Sequence, residues 1–246
     1  KMKDSGELDK IDINDNLKNM MVEISNCVPT GKIYKFISDP DTDVQVCITT
    51  CHCKKRVCIV FRGSESKTDW YYDLLITKYN LTDEIRVHKG FHTQLNSNKI
   101  YDELLTDIQI ILKQNPDYEI YVTGHSAGAA LSTLFGYLLS HIIENLVTIV
   151  SFASPRVGNY AWKKSFENTL NLRHYRITNK RDIITAFPLY RYYHVGKNIE
   201  LSDNTFILFE NSDNKKWYEE TILTCWSIAE HSCELYYKRC NINNIR

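Results

Sequence analysis

An α/β fold, with a mostly parallel central sheet and helices on both faces, is predicted by three features of this sequence. Short runs such as Val57-Cys58-Ile59-Val60-Phe61 and Val147-Thr148-Ile149-Val150-Ser151-Phe152 are rich in β-branched and aromatic residues and apolar almost throughout, the pattern of strands buried on both sides. Longer segments between such runs carry apolar residues at three-and-four spacing, the period of a helix with one face on a core. A length of 246 residues, 43% of them hydrophobic, suits one substantial core. The chain therefore reads as a single domain over residues 1–246, without repeat, low-complexity tract or linker.

In chain order, residues 1–43 read as an N-terminal helix and an entry segment. Ile13, Leu17, Met20, Met21 and Ile24 recur at helical spacing, Asp9 or Asp12 is available as a cap, and Pro29-Thr30-Gly31 ends the helix. Val44–Cys53 and Val57–Arg62 read as strands joined through Lys54-Lys55-Arg56. Residues 64–83, polar and then aromatic, fit neither a core helix nor a core strand. Residues 91–114 give a helix with Ile100, Leu104, Leu105, Ile108, Ile111 and Leu112 along one side, stopped near Asn115-Pro116. A short strand, Ile120–Thr123, is followed by small and apolar residues at helical spacing; then come a strand at Val147–Phe152, a helix over 160–168 and a strand at His174–Thr178. The longest apolar run, Leu134–Ile143, is interrupted by Gly136, Ser140 and His141 and is too short to cross a bilayer.

Thirty basic residues balance thirty acidic ones, with no Lys/Arg block, which argues against nucleic acid and against a membrane partner held by charge. Eight cysteines are many for a cytosolic enzyme and few for a disulfide scaffold. Cys27 with Cys240, and Cys225 with Cys233, are candidate pairs, although sequence does not fix connectivity. Cys47, Cys51, Cys53 and Cys58, with His52 among them, lack the paired Cys-x-x-Cys spacing of a zinc site and read as buried thiols or a disulfide; a two-residue turn at Lys54-Lys55 puts Cys51 opposite Cys58. The cysteine count and the acceptor triplet Asn80-Leu81-Thr82 lean towards a secreted protein, whereas the charged first residues show no apolar leader core; a lysine at position 1 is compatible with a leader already removed.

The chemistry is concentrated in Gly124-His125-Ser126-Ala127-Gly128, between a strand and a helix. That is a nucleophile elbow: the sharp turn strains and exposes the serine, and leaves no room for side chains two positions to either side. The Ala127 N–H at the new helix start faces the place where an oxyanion forms. Ser126 needs a base and the base needs a carboxylate; in α/β-hydrolases these follow in the order serine, acid, histidine. Asp182, delivered by the strand His174–Thr178, is the favoured acid, with Asp203 as runner-up. His231 and His194 compete for base, and chain logic favours His231 because His194 sits in a strand-like run, Tyr192-Tyr193-His194-Val195. Gly63-Ser64, after an earlier buried strand, supplies the second oxyanion donor, and Asp73 is placed to orient Ser64.

Taken together these stretches resemble the class 3 lipases, the fungal-type triacylglycerol lipases with their plant phospholipase and feruloyl esterase relatives. The matching blocks are Val60-Phe61-Arg62-Gly63-Ser64 with Asp69-Trp70 and Asp73-Leu74, Val87-His88-Lys89-Gly90-Phe91, the elbow through Leu131, Phe152-Ala153-Ser154-Pro155-Arg156-Val157-Gly158-Asn159, and Asn179-Lys180-Arg181-Asp182-Ile183-Ile184. The resemblance implies an α/β-hydrolase fold, with Ser126, Asp182 and His231 catalytic, Ser64 and Ala127 as oxyanion hole, and Asp73, Gly63 and His125 in support. It also implies a short lid over residues 65–74 carrying Trp70, Tyr71 and Tyr72. Ala127 stands where many relatives have leucine, and the aromatic pair Tyr236-Tyr237 comes later after His231 than is usual. The implied activity is hydrolysis of lipid carboxylic esters, acylglycerol or phospholipid, with no metal or cofactor, transient contact with a lipid interface, no nucleic acid, no transmembrane segment, and a monomer. Two rivals share these residues: a catalytically lapsed lipid-binding or interaction module, and an acyltransferase with an acceptor other than water.

Overall fold

The structure is a computed structural model that describes residues 31–63, 77–203, 205–209 and 227–240. Its frame is an eight-stranded sheet in the order β1 (Gly31–Asp39), β2 (Val44–Cys51), β3 (Arg56–Phe61), β6 (Glu119–His125), β7 (Val147–Phe152), β8 (Leu172–Asn179), β9 (Lys197–Leu201), β10 (Phe206–Phe209). The five strands from β3 to β9 run parallel, and antiparallel pairings β1–β2, β2–β3 and β9–β10 close the two sides. A separate two-stranded ribbon pairs β4 (Lys78–Asn80) with β5 (Arg86–His88).

Strand periodicity divides the sheet into two faces. Val46, Ile48, Val57, Ile59, Ile120, Val122, Val147 and Ile149 belong to the main core, and α3 (Ala127–Ser140) lies against this face, with α1 (Lys89–Asn96) and α2 (Ile100–Gln114) contributing Phe91, Leu95, Leu104 and Ile108 to the same core. A further helix, α4 (Tyr160–Glu167), adds Trp162 and Phe166. On the opposite face Phe152, Ile177 and Ile199, adjacent across β7, β8 and β9, pack with Tyr236 and Cys240 of α5 (Cys233–Cys240). Helices thus cover both faces, as the sequence pattern implies.

Three expectations need correction. Gly31–Asp39, read as part of the entry segment, is a strand whose register shifts between Ile33 and Lys35. The β2–β3 connection is four residues long, with Lys55 N–H donating to the His52 carbonyl at 3.1 Å; Cys51 therefore faces Arg56, and Cys58 faces Thr49. Cys240 is a thiol, so the tie to Cys27 is not made, while Cys225, like the helix read over residues 1–26, lies outside the described residues. No helix among the described residues is long and apolar enough to cross a membrane.

Candidate active site

Strand β6 ends at His125, and α3 begins at Ala127, leaving one residue for the turn. Ser126 accordingly has φ 60° and ψ −124°, a region an L-residue occupies only under constraint. Its N–H donates to the Phe152 carbonyl at 3.0 Å, and its own carbonyl accepts from Ala129 and Ala130 at 3.0 and 3.2 Å, so both sides of the kink are tied. The flanking glycines are demanded by close approach: a Cβ on Gly124 would lie 2.4 Å from the Gly128 carbonyl oxygen, and one on Gly128 would lie 2.5 Å from that of Phe61. Ala127, buried at the first helical position, has an N–H that no intrahelical acceptor can take. The backbone of Gly63 abuts the nucleophile, since a Cβ built there would stand 3.6 Å from Ser126 Cβ.

Asp182 follows β8 and caps the short turn Ile183–Ala186, with Ile184 N–H donating to its Oδ1 at 2.9 Å. Fully buried, it is reached by a segment from far down the chain: Ser227 bridges alongside it, and the turn Ala229–His231 brings the imidazole over. His231 Nδ1 is 3.0 and 2.9 Å from the two Asp182 oxygens, and its Nε2 is 2.7 Å from Ser126 Oγ. A carboxylate only accepts, so Nδ1 carries the proton and Nε2 is left to accept from the serine hydroxyl. That arrangement can draw a proton from Ser126 while an acyl carbon is attacked.

Three supports escaped the sequence reading. The buried Tyr236 hydroxyl donates to Asp182 Oδ2 at 2.8 Å and accepts from Asn179 N–H at 2.8 Å. Asn179 in turn donates through Nδ2 to the Glu230 carbonyl at 2.7 Å, which fastens the His231 turn. The only sequence signal was the late position of Tyr236-Tyr237, and the start of α5 at Cys233 accounts for it by carrying Tyr236 back to the acid. Arg156, also buried, donates to the carbonyls of Ala186 and Pro188 and so braces the loop after Asp182.

The His125 ring lies 4.7 Å from that of His231, centroid to centroid, and is tilted 43° against it. Burial, followed by the neighbouring His231 charge, lowers its pKa to about 4, which keeps a second positive charge away from the site. The rival residues are accounted for. His194 is buried outside any strand, its Nε2 2.8 Å from the Thr185 carbonyl, and Asp203 is an exposed partner of Arg239 at 2.6 Å. Ser64, Asp73, Trp70, Tyr71 and Tyr72 lie outside the described residues. Among the described residues no three His, Cys, Asp or Glu side chains converge as a metal-ligand set.

A serine held at a strand-to-helix kink on the carboxyl edge of a parallel sheet, with acid and imidazole arriving later and in that order, defines an α/β-hydrolase. Comparison narrows the class. The family model described as Lipase (class 3) matches residues 58–192, and the chain belongs to that family. It is 30% identical over 186 residues to the secreted mono- and diacylglycerol lipase A of Penicillium cyclopium, covering 74% of this chain and 60% of that protein. It is 32% identical over 210 residues to a lipase of Rhizomucor miehei, covering 82% of this chain and 53% of that one. Among solved structures, the lipase of Rhizopus microsporus var. chinensis superposes with a TM-score of 0.75 at 27% identity, over 85% of this chain and 76% of that one. The chain thus spans little more than half the length of the two fungal sequences.

Proposed function

We propose that this protein hydrolyses carboxylic esters of lipids, acylglycerols or phospholipids, through an acyl-enzyme on Ser126. The observation that carries the reading is the single imidazole of His231, 2.7 Å from the serine hydroxyl on one side and within 3.0 Å of a fully buried carboxylate on the other. His231 takes the Ser126 proton as Oγ attacks the ester carbon, and the Ala127 N–H, with Ser64 as second donor, receives the oxyanion. The imidazolium, stabilised by Asp182, then returns the proton to the leaving alcohol. Water, deprotonated by the same nitrogen, releases the acid and restores the serine.

A fluorophosphonate probe tests the assignment. Stoichiometric labelling of Ser126, together with a fall of at least about 10⁴-fold in p-nitrophenyl ester turnover in Ser126→Ala, is expected; wild-type turnover in that variant refutes it. The reading as a lapsed binding module forecasts no labelling. The lid segment 65–74 begins Glu65-Ser66-Lys67-Thr68, and this polarity supports only a modest rise in activity when monomeric glyceride is replaced by an emulsion. The secreted Penicillium relative supports export, and the protein acts as a monomer.

A further inference from the structure

Three cations, two on one hairpin and one from far along the chain, meet on one surface. In the β4–β5 ribbon Lys78 is opposite His88 and Asn80 is opposite Arg86, so all four side chains share a face. The Lys78 ammonium stands 4.1 Å over the Tyr192 ring, whose hydroxyl donates to the Thr77 carbonyl at 3.1 Å. The preceding residue, Arg191, holds its guanidinium 5.0 Å over Tyr190. Burial, and then the charges of Arg191 and Arg86, lower the Lys78 pKa, and among the described residues no carboxylate acts against them. The hairpin's own acids, Asp83 and Glu84, sit at its exposed tip.

Tyr190 is 60% and Tyr193 is 38% exposed beside these cations. Rings with one apolar body and one wet end suit the boundary between headgroup and hydrocarbon. Backbone bridges run from Val87 to Gly158 and from Gly158 to Tyr193. Gly158 belongs to the connection that leaves β7, and Tyr193 to the one that leaves the Asp182 loop, so the surface lies at the sheet end that carries Ser126. A neutral total charge does not oppose this, because only the local surplus lies within a Debye length of a membrane.

The geometry points to a docking surface for an anionic phospholipid membrane, with Lys78, Arg86 and Arg191 meeting the phosphates and Tyr190 and Tyr193 entering the headgroup layer. It stands apart from the esterase chemistry and is tested without it. Ser126→Ala protein is floated with phosphatidylcholine vesicles, alone or containing about 30% phosphatidylglycerol, at low salt and at about 0.5 M. Binding to the anionic vesicles only, released by salt, is expected. In the same background Lys78→Ala, Arg86→Gln and Arg191→Gln together lower partition about a hundredfold, roughly fivefold per cation. The exposed pair Arg86→Gln and Arg191→Gln alone lowers it about 25-fold and guards against a folding defect at Lys78. Equal partition onto neutral vesicles, or an unchanged partition in the double variant, overturns the proposal. So does displacement by millimolar inorganic phosphate at matched ionic strength, which identifies a small-anion site instead.

Discussion

Asp182 is fully buried, and its two oxygens are met by His231 Nδ1–H, the Tyr236 hydroxyl and the Ile184 N–H. Tyr236→Phe removes one donor and leaves the Asn179 N–H without its acceptor. Steady-state kinetics on a soluble ester should show kcat lowered about tenfold with KM little changed, since a hydrogen bond to a charged group is worth about 1.5–3 kcal/mol and part of that is felt only as the imidazolium forms; an unchanged kcat would reduce Tyr236 to packing. Asp182→Asn should lose about 10⁴-fold, because the amide can donate to Nδ1 and fix the wrong tautomer. Ser126, Asp182 and His231 were legible because the elbow pins one position and the order of the other two is constrained. Tyr236 was not, because its partner lies 54 residues away and only the packing of α5 joins them.

At the scale of elements, the elbow depends on how closely α3 approaches β3. Gly128→Ala puts a methyl 2.5 Å from the Phe61 carbonyl oxygen and 2.7 Å from Arg62 backbone atoms, none of which can swing aside. A loss of roughly 2–4 kcal/mol is expected, seen as a Tm lower by about 4–16 °C in a scanning unfolding experiment; an alanine variant as stable as its parent would mean that the helix is free to slide. The parallel strands were readable because burial on both faces writes itself as an unbroken apolar run. Strand β1 was not: Ile33, Tyr34, Phe36 and Ile37 fit no single two-residue alternation, since the register shift between Ile33 and Lys35 changes the phase midway. The β2–β3 turn misled for a related reason, because Lys55 adopts φ 48° within a four-residue connection where two lysines looked sufficient.

Over the whole molecule, charge balance in the sequence described neither the clustering of Lys78, Arg86 and Arg191 nor the burial of histidines, both of which depend on how distant segments meet. Burial lowers the pKa of His125 to about 4 and that of His174 to about 3, and drives His194 well below its ordinary value, with neighbouring positive charges adding to each. In the unfolded chain all three titrate near 6.5. Below that pH the unfolded state binds protons that the folded state refuses, so stability falls as pH falls, by up to about 1.4 kcal/mol per pH unit for each histidine. Above about pH 7.5 the same groups contribute no slope, because both states are neutral. Urea midpoints measured at pH 7.5, 6.5, 5.8 and 5.0 stay above the range in which most carboxylates titrate, and they should be flat over the first step and decline progressively over the rest. His174→Gln, which keeps a polar partner for Ser151 where the imidazole now lies 2.7 Å from its hydroxyl, should reduce the acid-side slope by about one third, whatever it does to stability at neutral pH. A slope unchanged in that variant would mean that His174 takes up its proton in the folded protein as readily as in the unfolded one, which its burial on the core face of β8 forbids.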